Sequence, residues 1–336
     1  MQIVAGSVQD AALGCLLGAC VGDAAGATLE FIGRTPTSQE VAQAITMPGG
    51  GILKVAPGQI TDDGELTLCL TQALSVSKTF SPERVAQKYV EWVQSNPFDM
   101  GYTTRNSLGC FLDPEWGTVC TRDGYASGMT QAAFKRCMGS KANGSLMRAS
   151  PLGIWGYKLK AEELALFAKE DSSLSHPNES CIYAVACYAI AIAHLVKALG
   201  EREPAFERAK QWAEVNANEE VCGWMEDAEN NIDIAYHPQI GFVKIGFTHA
   251  FRHLLLGSNY VEAIRETLSG GGDTDTNACI VGGLIGAACG AESIPDEMKM
   301  PVLNCDTRKG QQPRPEFLHT NKIPELADKL LANAPD

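Results

Sequence analysis

The chain has 336 residues, 45% hydrophobic and 20% charged, and its 27 Lys+Arg against 40 Asp+Glu give a formal charge of −13. That balance excludes wholesale disorder, and a chain of this length buries enough surface to fold without disulfides or a structural metal. The acidic excess repels phosphate backbones and anionic lipid, so nucleic acid and membrane surfaces are poor partners, while a small anion in one local pocket stays possible.

The opening MQIVAGSVQD has neither the basic region nor the apolar core of a signal peptide. An apolar stretch runs from Ala11 to Val21 before Asp23 interrupts it, and reads as too short to span a bilayer. In chain order, three- and four-residue apolar spacing predicts helices over Ala11–Gly26, Leu66–Ser77, Pro82–Gln94, Ala161–Lys169, Glu179–Leu199, Ala205–Asn216, Phe242–Leu255, Val261–Leu268 and Thr276–Gly290. Strand patterns are scarce. The stretches 31–60 and 97–150 carry most turn residues and read as long ordered loops, which are functional or hide short elements. Pro295, Pro301, Pro313, Pro315 and Pro324 mark 293–336 as a surface tail with a short final helix, outside a core of about 8–292. No linker or repeat divides the chain, so one all-α domain is expected. The 12 cysteines form no CxxC pair and many sit in apolar runs, such as Cys15, Cys20, Cys69, Cys187 and Cys279. They read as buried free thiols of a reducing, cytoplasmic compartment.

Gly14, Gly18, Gly22 and Gly26 recur every four residues, as do Gly282, Gly286 and Gly290. Positions i and i+4 share a helix face, so each segment carries a groove without side chains. Each glycine costs a helix up to about 1 kcal/mol relative to alanine, which close backbone packing can offset. The two helices are expected to lie against each other or a common neighbour.

Three acidic clusters stand at helix ends: Asp23 to Glu30 in GDAAGATLEF, Thr61-Asp62-Asp63 in GQITDDGELTLCL, and Asp273-Thr274-Asp275-Thr276 in GGGDTDTNA. Singly, each reads as a helix cap. Yet one cap needs one side chain, and here two carboxylates crowd each helix start. Adjacent carboxylates repel unless a proton or cation intervenes. If the two pairs converge, they give four hard oxygen donors, with Thr61 and Thr276 adding neutral ones. That set suits Mg²⁺ or Mn²⁺ rather than zinc, and two ions are plausible. No HExxH competes; His249 and His253 are the nearest approach to a spaced pair. Ser107 and Ser127 lack a nucleophile elbow, and GGGILK lacks the ending of a phosphate loop.

At these residues the sequence resembles the ADP-ribosylglycohydrolase family. GDAAGATLEF (22–31), TDDGEL (61–66) and GGDTDTNACIVGGLIGAACG (271–290) carry the resemblance in order, supported by GGGILKVAPGQITDD (49–63), FDMGYTTR (98–105) and NGSLMR (143–148). The resemblance implies a single compact orthogonal helical domain with a central two-metal cleft. It implies removal of ADP-ribose from protein side chains, arginine in the best-known branch. Thr61, Asp62, Asp63, Asp273, Asp275 and Thr276 match its metal ligands, for two divalent cations, Mg²⁺ or Mn²⁺. Glu30, Asp63 and Asp99 are the expected catalytic groups. Asn143, Gly144 and Ser145 match a loop facing the diphosphate, where backbone N–H groups suit an anion. His176 matches a histidine beside the ligand, Phe242 stands where a tyrosine often lies against it, and Gly101 lies in the FDMG segment beside Asp99. Read alone, Asp99 is either an Asx-turn residue or a carboxylate receiving a guanidinium in a forked pair. His176 read alone sits where a chain turns into a helix. Gly64 replaces a usual threonine, Phe242 lacks a hydroxyl, and no tryptophan follows Ile294-Pro295. The expected partners are ADP-ribose and an ADP-ribosylated protein, with no nucleic acid, no membrane insertion and a monomeric chain. The alternatives are another ADP-ribose linkage, serine or small-molecule ester, or a non-catalytic ADP-ribose-binding member of the fold.

Overall fold

A computed structural model describes residues 4–336, and their regular structure is helical, with two isolated bridges, Gly50 to Val55 and Ala142 to Phe242, and no strand. The helices in chain order are α1 (Val8–Gly26), α2 (Ser38–Ala44), α3 (Asp62–Leu74), α4 (Pro82–Gln94), α5 (Tyr102–Leu108), α6 (Pro114–Asp123), α7 (Tyr125–Cys137), α8 (Ser150–Trp155) and α9 (Ala161–Ser173). They continue with α10 (Glu179–Lys197), α11 (Arg202–Asn216), α12 (Glu219–Glu229), α13 (Val243–Leu256), α14 (Tyr260–Gly270), α15 (Thr274–Cys289), α16 (Asp296–Leu303) and α17 (Ile323–Ala332).

Ser7 caps α1 by accepting from the Asp10 N–H, and every residue from Asp10 to Gly26 is buried. A helix apolar on all sides belongs at a core centre. At 19 residues and mean hydropathy 1.2, α1 does reach bilayer-spanning length, because Asp23 is accommodated inside the helix; 89% of it is buried in the protein. The 19-residue α10 is similar, with mean hydropathy 1.6 and 83% burial. All 12 cysteines are free thiols, most of them buried.

The glycine stripes form one antiparallel seam between α1 and α15. A Cβ on Gly14 would run into the Gly286 carbonyl, one on Gly18 into Gly282, and one on Gly22 into Ala278. Backbone contact over this length supplies the dispersion that offsets the glycine cost. Tyr260 of α14 donates its hydroxyl to the Gly18 carbonyl at 2.6 Å. Gly290 departs from the stripe: it ends α15 at φ +79° and lies against Asp10. The seam also sets the site, since it brings the C-terminal end of α1 to the N-terminal end of α15. A Cβ on Gly26 would collide with the Asp275 backbone.

Three expectations need correction. The stretches 31–60 and 97–150 are not plain loops: they hold α2, α5, α6 and α7 and reach α8. The helices α2 and α5 are only seven residues long, Gly124 at φ +92° parts α6 from α7, and α5, YTTRNSL, has too little apolar periodicity to register. The starts of α3 and α15 lie four and two residues earlier than the apolar pattern, so Asp62, Asp63 and Asp275 sit inside the first turns and Asp273 at the N-cap, where the positive helix end favours them. Residues 293–336 are not a surface tail. Met298, Val302, Leu318, Ile323 and Leu330 are buried, and α17 packs on α1, α3 and α8. Pro295, Pro315 and Pro324 stand at the starts of short helices, and Pro301 lies inside α16, rather than marking loose chain.

Candidate active site

The first half of the site is the start of α3. Thr61 is its extended N-cap residue but makes no capping bond of its own. Asp23 of α1 caps the helix instead: its carboxylate accepts from the Thr61 N–H at 3.0 Å, the Thr61 hydroxyl at 2.8 Å and the Gly64 N–H at 2.8 Å. A Cβ on Gly64 would stand 2.6 Å from Asp23 Oδ2, so the glycine leaves room for this cap. Burial pushes the Asp23 carboxyl up to about 7, with the Thr61 and Gly64 bonds opposing. Thr61 Oγ1 also lies 3.0 Å from Asp63 Oδ2, so its single proton serves two carboxylates.

The second half is the start of α15. Gly271 and Gly272, at φ +71° and +74°, turn the chain into the helix through a region that side chains disfavour. Asp273 accepts from Asn143 Nδ2 at 2.8 Å, Asp275 accepts from the Thr276 N–H at 2.9 Å, and the Thr274 hydroxyl ties α15 to the Gly26 carbonyl at 2.9 Å.

The halves meet. Carboxylate oxygens of Asp23, Asp63 and Asp275 lie within 4.8 Å of one another, and so do those of Glu30, Asp99 and Asp275. Glu30, Asp62, Asp99, Asp273 and Thr276 line a cleft of about 230 Å³, while Thr61, Asp63 and Asp275 lie beneath it at 0–1% exposure. Burial, then neighbouring carboxylates, raise Asp62, Asp63 and Asp275 well above the usual range and push Glu30 up to about 10. Burial raises Asp273, opposed by the Asn143 bond, and raises Asp99, opposed by the Met100 N–H. Among the described residues, Asp63 Oδ1 and Glu30 Oε2 are buried without a hydrogen-bond partner. Orphaned carboxylate oxygens in an all-oxygen donor set fit a hard divalent cation.

Around this floor, Gly101, Asn143, Gly144 and His176 line the cleft. A Cβ on Gly144 would be 2.8 Å from His176 Cε1, so the ring packs directly on that loop. His176 Nδ1 lies 2.8 Å from Ser175 Oγ, and burial pushes the ring down to about 3, which keeps it neutral. Arg148, paired with Asp171 at 0% exposure on both sides, donates to the Gly144 carbonyl at 3.2 Å and braces the loop from below. Ser145 lies under the loop, fully buried, with its hydroxyl 2.9 Å from Ser172 Oγ, and does not line the cleft. Phe242 lines an adjoining shallow groove with Lys141 and Glu220, its ring edge-on to Trp224 at 5.5 Å. The residue reading gave Asp23 no role of its own. Its place in GDAAGATLEF was the available signal, but nothing in spacing shows that it caps a helix 38 positions away.

A family model described as ADP-ribosylglycohydrolase matches residues 5–335. The ADP-ribosyl-dinitrogen reductase glycohydrolase of Rhodospirillum rubrum is 28% identical over 297 residues, covering 86% of this chain and 89% of its own. The ADP-ribosylarginine hydrolase Tri1 of Pseudomonas putida (strain GB-1) is 27% identical over 295 residues, covering 86% of this chain and 73% of its own. A solved chain titled ADP-ribosylglycohydrolase-related protein complex shares the fold at TM-score 0.74 and 23% identity, over 98% of this chain and 99% of that one. Matched along nearly its whole length, the chain belongs to the ADP-ribosylglycohydrolase family and is a hydrolase of that family.

Proposed function

We propose that this chain is a metal-dependent hydrolase that removes ADP-ribose from a modified protein, with the arginine N-glycosidic bond preferred. The observation that carries the reading is the convergence of two distant carboxylate pairs under one cleft, with buried oxygens that lack donors. The names of the two relatives above, one an ADP-ribosylarginine hydrolase, support the linkage.

Thr61, Asp62 and Asp63 on one side and Asp273, Asp275 and Thr276 on the other would hold two divalent cations, Mg²⁺ or Mn²⁺. Bound there, the cations would orient the ribose hydroxyls and make a water more acidic. The remaining work falls to the chain. Breaking the N-glycosidic bond builds positive charge on the sugar, and Glu30 and Asp63, ionised once their neighbouring carboxylates are paired, would offer negative potential toward it. Glu30 holds or accepts a proton at its unpartnered Oε2. Asp99, at the cleft wall, receives the guanidinium in a forked pair and keeps the leaving group in place. Asn143 and Gly144 approach the diphosphate, and neutral His176 closes that side without adding charge. The chain acts as a monomer in a cytoplasmic setting, the latter supported by the free state of all 12 cysteines.

One observation favours a second linkage, a serine or small-molecule ester. A carboxylate oxygen of Asp99 lies within 4.8 Å of one of Glu30 and one of Asp275, so Asp99 would join the metal-holding carboxylates rather than receive a guanidinium. Turnover decides. The purified chain with Mn²⁺ should release ADP-ribose from an ADP-ribosylarginine peptide, and EDTA should stop it. Release from an ADP-ribosylserine peptide alone would select the second linkage. Binding of ADP-ribose without release from either would leave a non-catalytic binder.

A further inference from the structure

One buried ion pair beside the cluster has no part in the chemistry above. Arg314, between α16 and α17, forks onto Glu65, with Nε to Oε1 at 2.7 Å and an Nη to Oε2 at 3.0 Å, both side chains 2% exposed. Glu65 belongs to the first turn of α3, two residues past Asp63, and its Oε2 also accepts from Trp92 Nε1 at 2.7 Å. The other guanidinium protons go to the carbonyls of Ser95 at 3.0 Å and Asn96 at 3.3 Å, and to Ser95 Oγ at 2.7 Å. Those residues follow α4, just ahead of Asp99. Two residues before Arg314, the Gln312 carbonyl accepts from Gln59 Nε2 at 2.8 Å, and Gln312 Nε2 donates to the Leu53 carbonyl at 2.9 Å. Gln59 closes the turn from Ala56 and stands two residues before Thr61.

We propose that residues 312–314 form a strap that positions the site, with Arg314 as its positioning residue. The proposal rests on the functional reading above. The strap holds three pieces of chain at once: the turn into Thr61, the first turn of α3 with Asp62 and Asp63, and the segment that carries Asp99. Asp62 and Asp99, carried by two of those pieces, line one cleft, so its shape depends on how the pieces are spaced. A planar fork that binds the Glu65 side chain of α3 on one edge and the Ser95 and Asn96 carbonyls on the other fixes that spacing. A lysine ammonium, a single point of charge, cannot span both edges.

The test compares wild type with Arg314→Lys, Gln312→Ala and the double variant Glu65→Gln/Arg314→Gln. The double variant removes both charges together and so leaves no unpaired buried ion. Mn²⁺ affinity is read by electron paramagnetic resonance on the metal-free proteins, alongside kcat, KM and thermal unfolding, each at a temperature where the variant's circular dichroism matches wild type. Arg314→Lys and the double variant should bind Mn²⁺ about 10-fold more weakly and lose at least as much in kcat, with KM nearly unchanged. Gln312→Ala should show a smaller loss of the same kind. Wild-type Mn²⁺ affinity and kcat in the double variant would overturn the proposal and leave the ion pair a stability element. If the double variant does not fold, Gln312→Ala alone decides by the same two readouts. A wild-type protein that binds no Mn²⁺ and turns over no substrate would instead remove the functional reading.

Discussion

The two ends of the α1–α15 pair solve opposite problems. At the Gly14–Gly286 end, backbones touch in a dry seam, and Tyr260 satisfies the Gly18 carbonyl. At the Asp23–Asp275 end, the same helices gather carboxylates whose burial favours protonation, and buried oxygens stand without donors. The first end is built for stability. The second carries electrostatic strain that a bound cation would relieve. The comparison teaches that the glycines act on the chemistry at a distance: close approach along the seam forces the acidic ends together.

Breaking the seam should have the largest effect. Gly18→Val drives a branched side chain into the Gly282 backbone, so the protein should lose more than about 4 kcal/mol or fail to fold, as read by urea unfolding. A variant that melts like wild type would break the comparison at its stable end. At the acidic end the opposite pattern is expected. Asp275→Ala or Asp62→Ala should lower hydrolysis at least about 100-fold. The metal-free variant should melt no lower than wild type, because a like charge is gone. Turnover retained in both variants would remove the cations from the account. Asp99→Ala sharpens the assignment within that end: arginine-linked hydrolysis should fall about 10- to 100-fold while ADP-ribose binding, measured calorimetrically, persists. Equal rates would move the bond to another linkage.

The smallest effect lies at the wall. Burial holds His176 at about 3 against an ordinary 6.5. Between those values the unfolded chain takes up a proton that the folded chain refuses, so this contribution is present above pH 6.5 and lost as pH falls toward 3. Unfolding at pH 7 and pH 4.5 should show an acid-side loss shallower in His176→Asn by about 2 kcal/mol. Identical pH slopes would mean that the ring is not held neutral.

Much of this was legible in the sequence. The amphipathic helix Pro82–Gln94 was readable to the residue, since Ser81 and Pro82 fix the start. The glycine period announced the seam, and the TDD and DTD clusters announced acidic helix starts. What spacing could not show were long-range partners. Asp23 reads as one more acidic residue until Thr61 and Gly64 are seen on its carboxylate. Arg314 sits in a stretch that its prolines assign to the surface, and only its pairing with Glu65 explains its burial. Ser145 belongs to a recognisable loop motif, but which of its neighbours face the cleft is set by Arg148 and Ser172 beneath.

Anomalous diffraction from crystals soaked in Mn²⁺ tests the centre of the account most directly. The account predicts two anomalous peaks about 3.5–4 Å apart, held between the Asp62–Asp63 and Asp273–Asp275 carboxylates. Crystals that take up manganese elsewhere, or not at all, with those carboxylates unmoved, would contradict it.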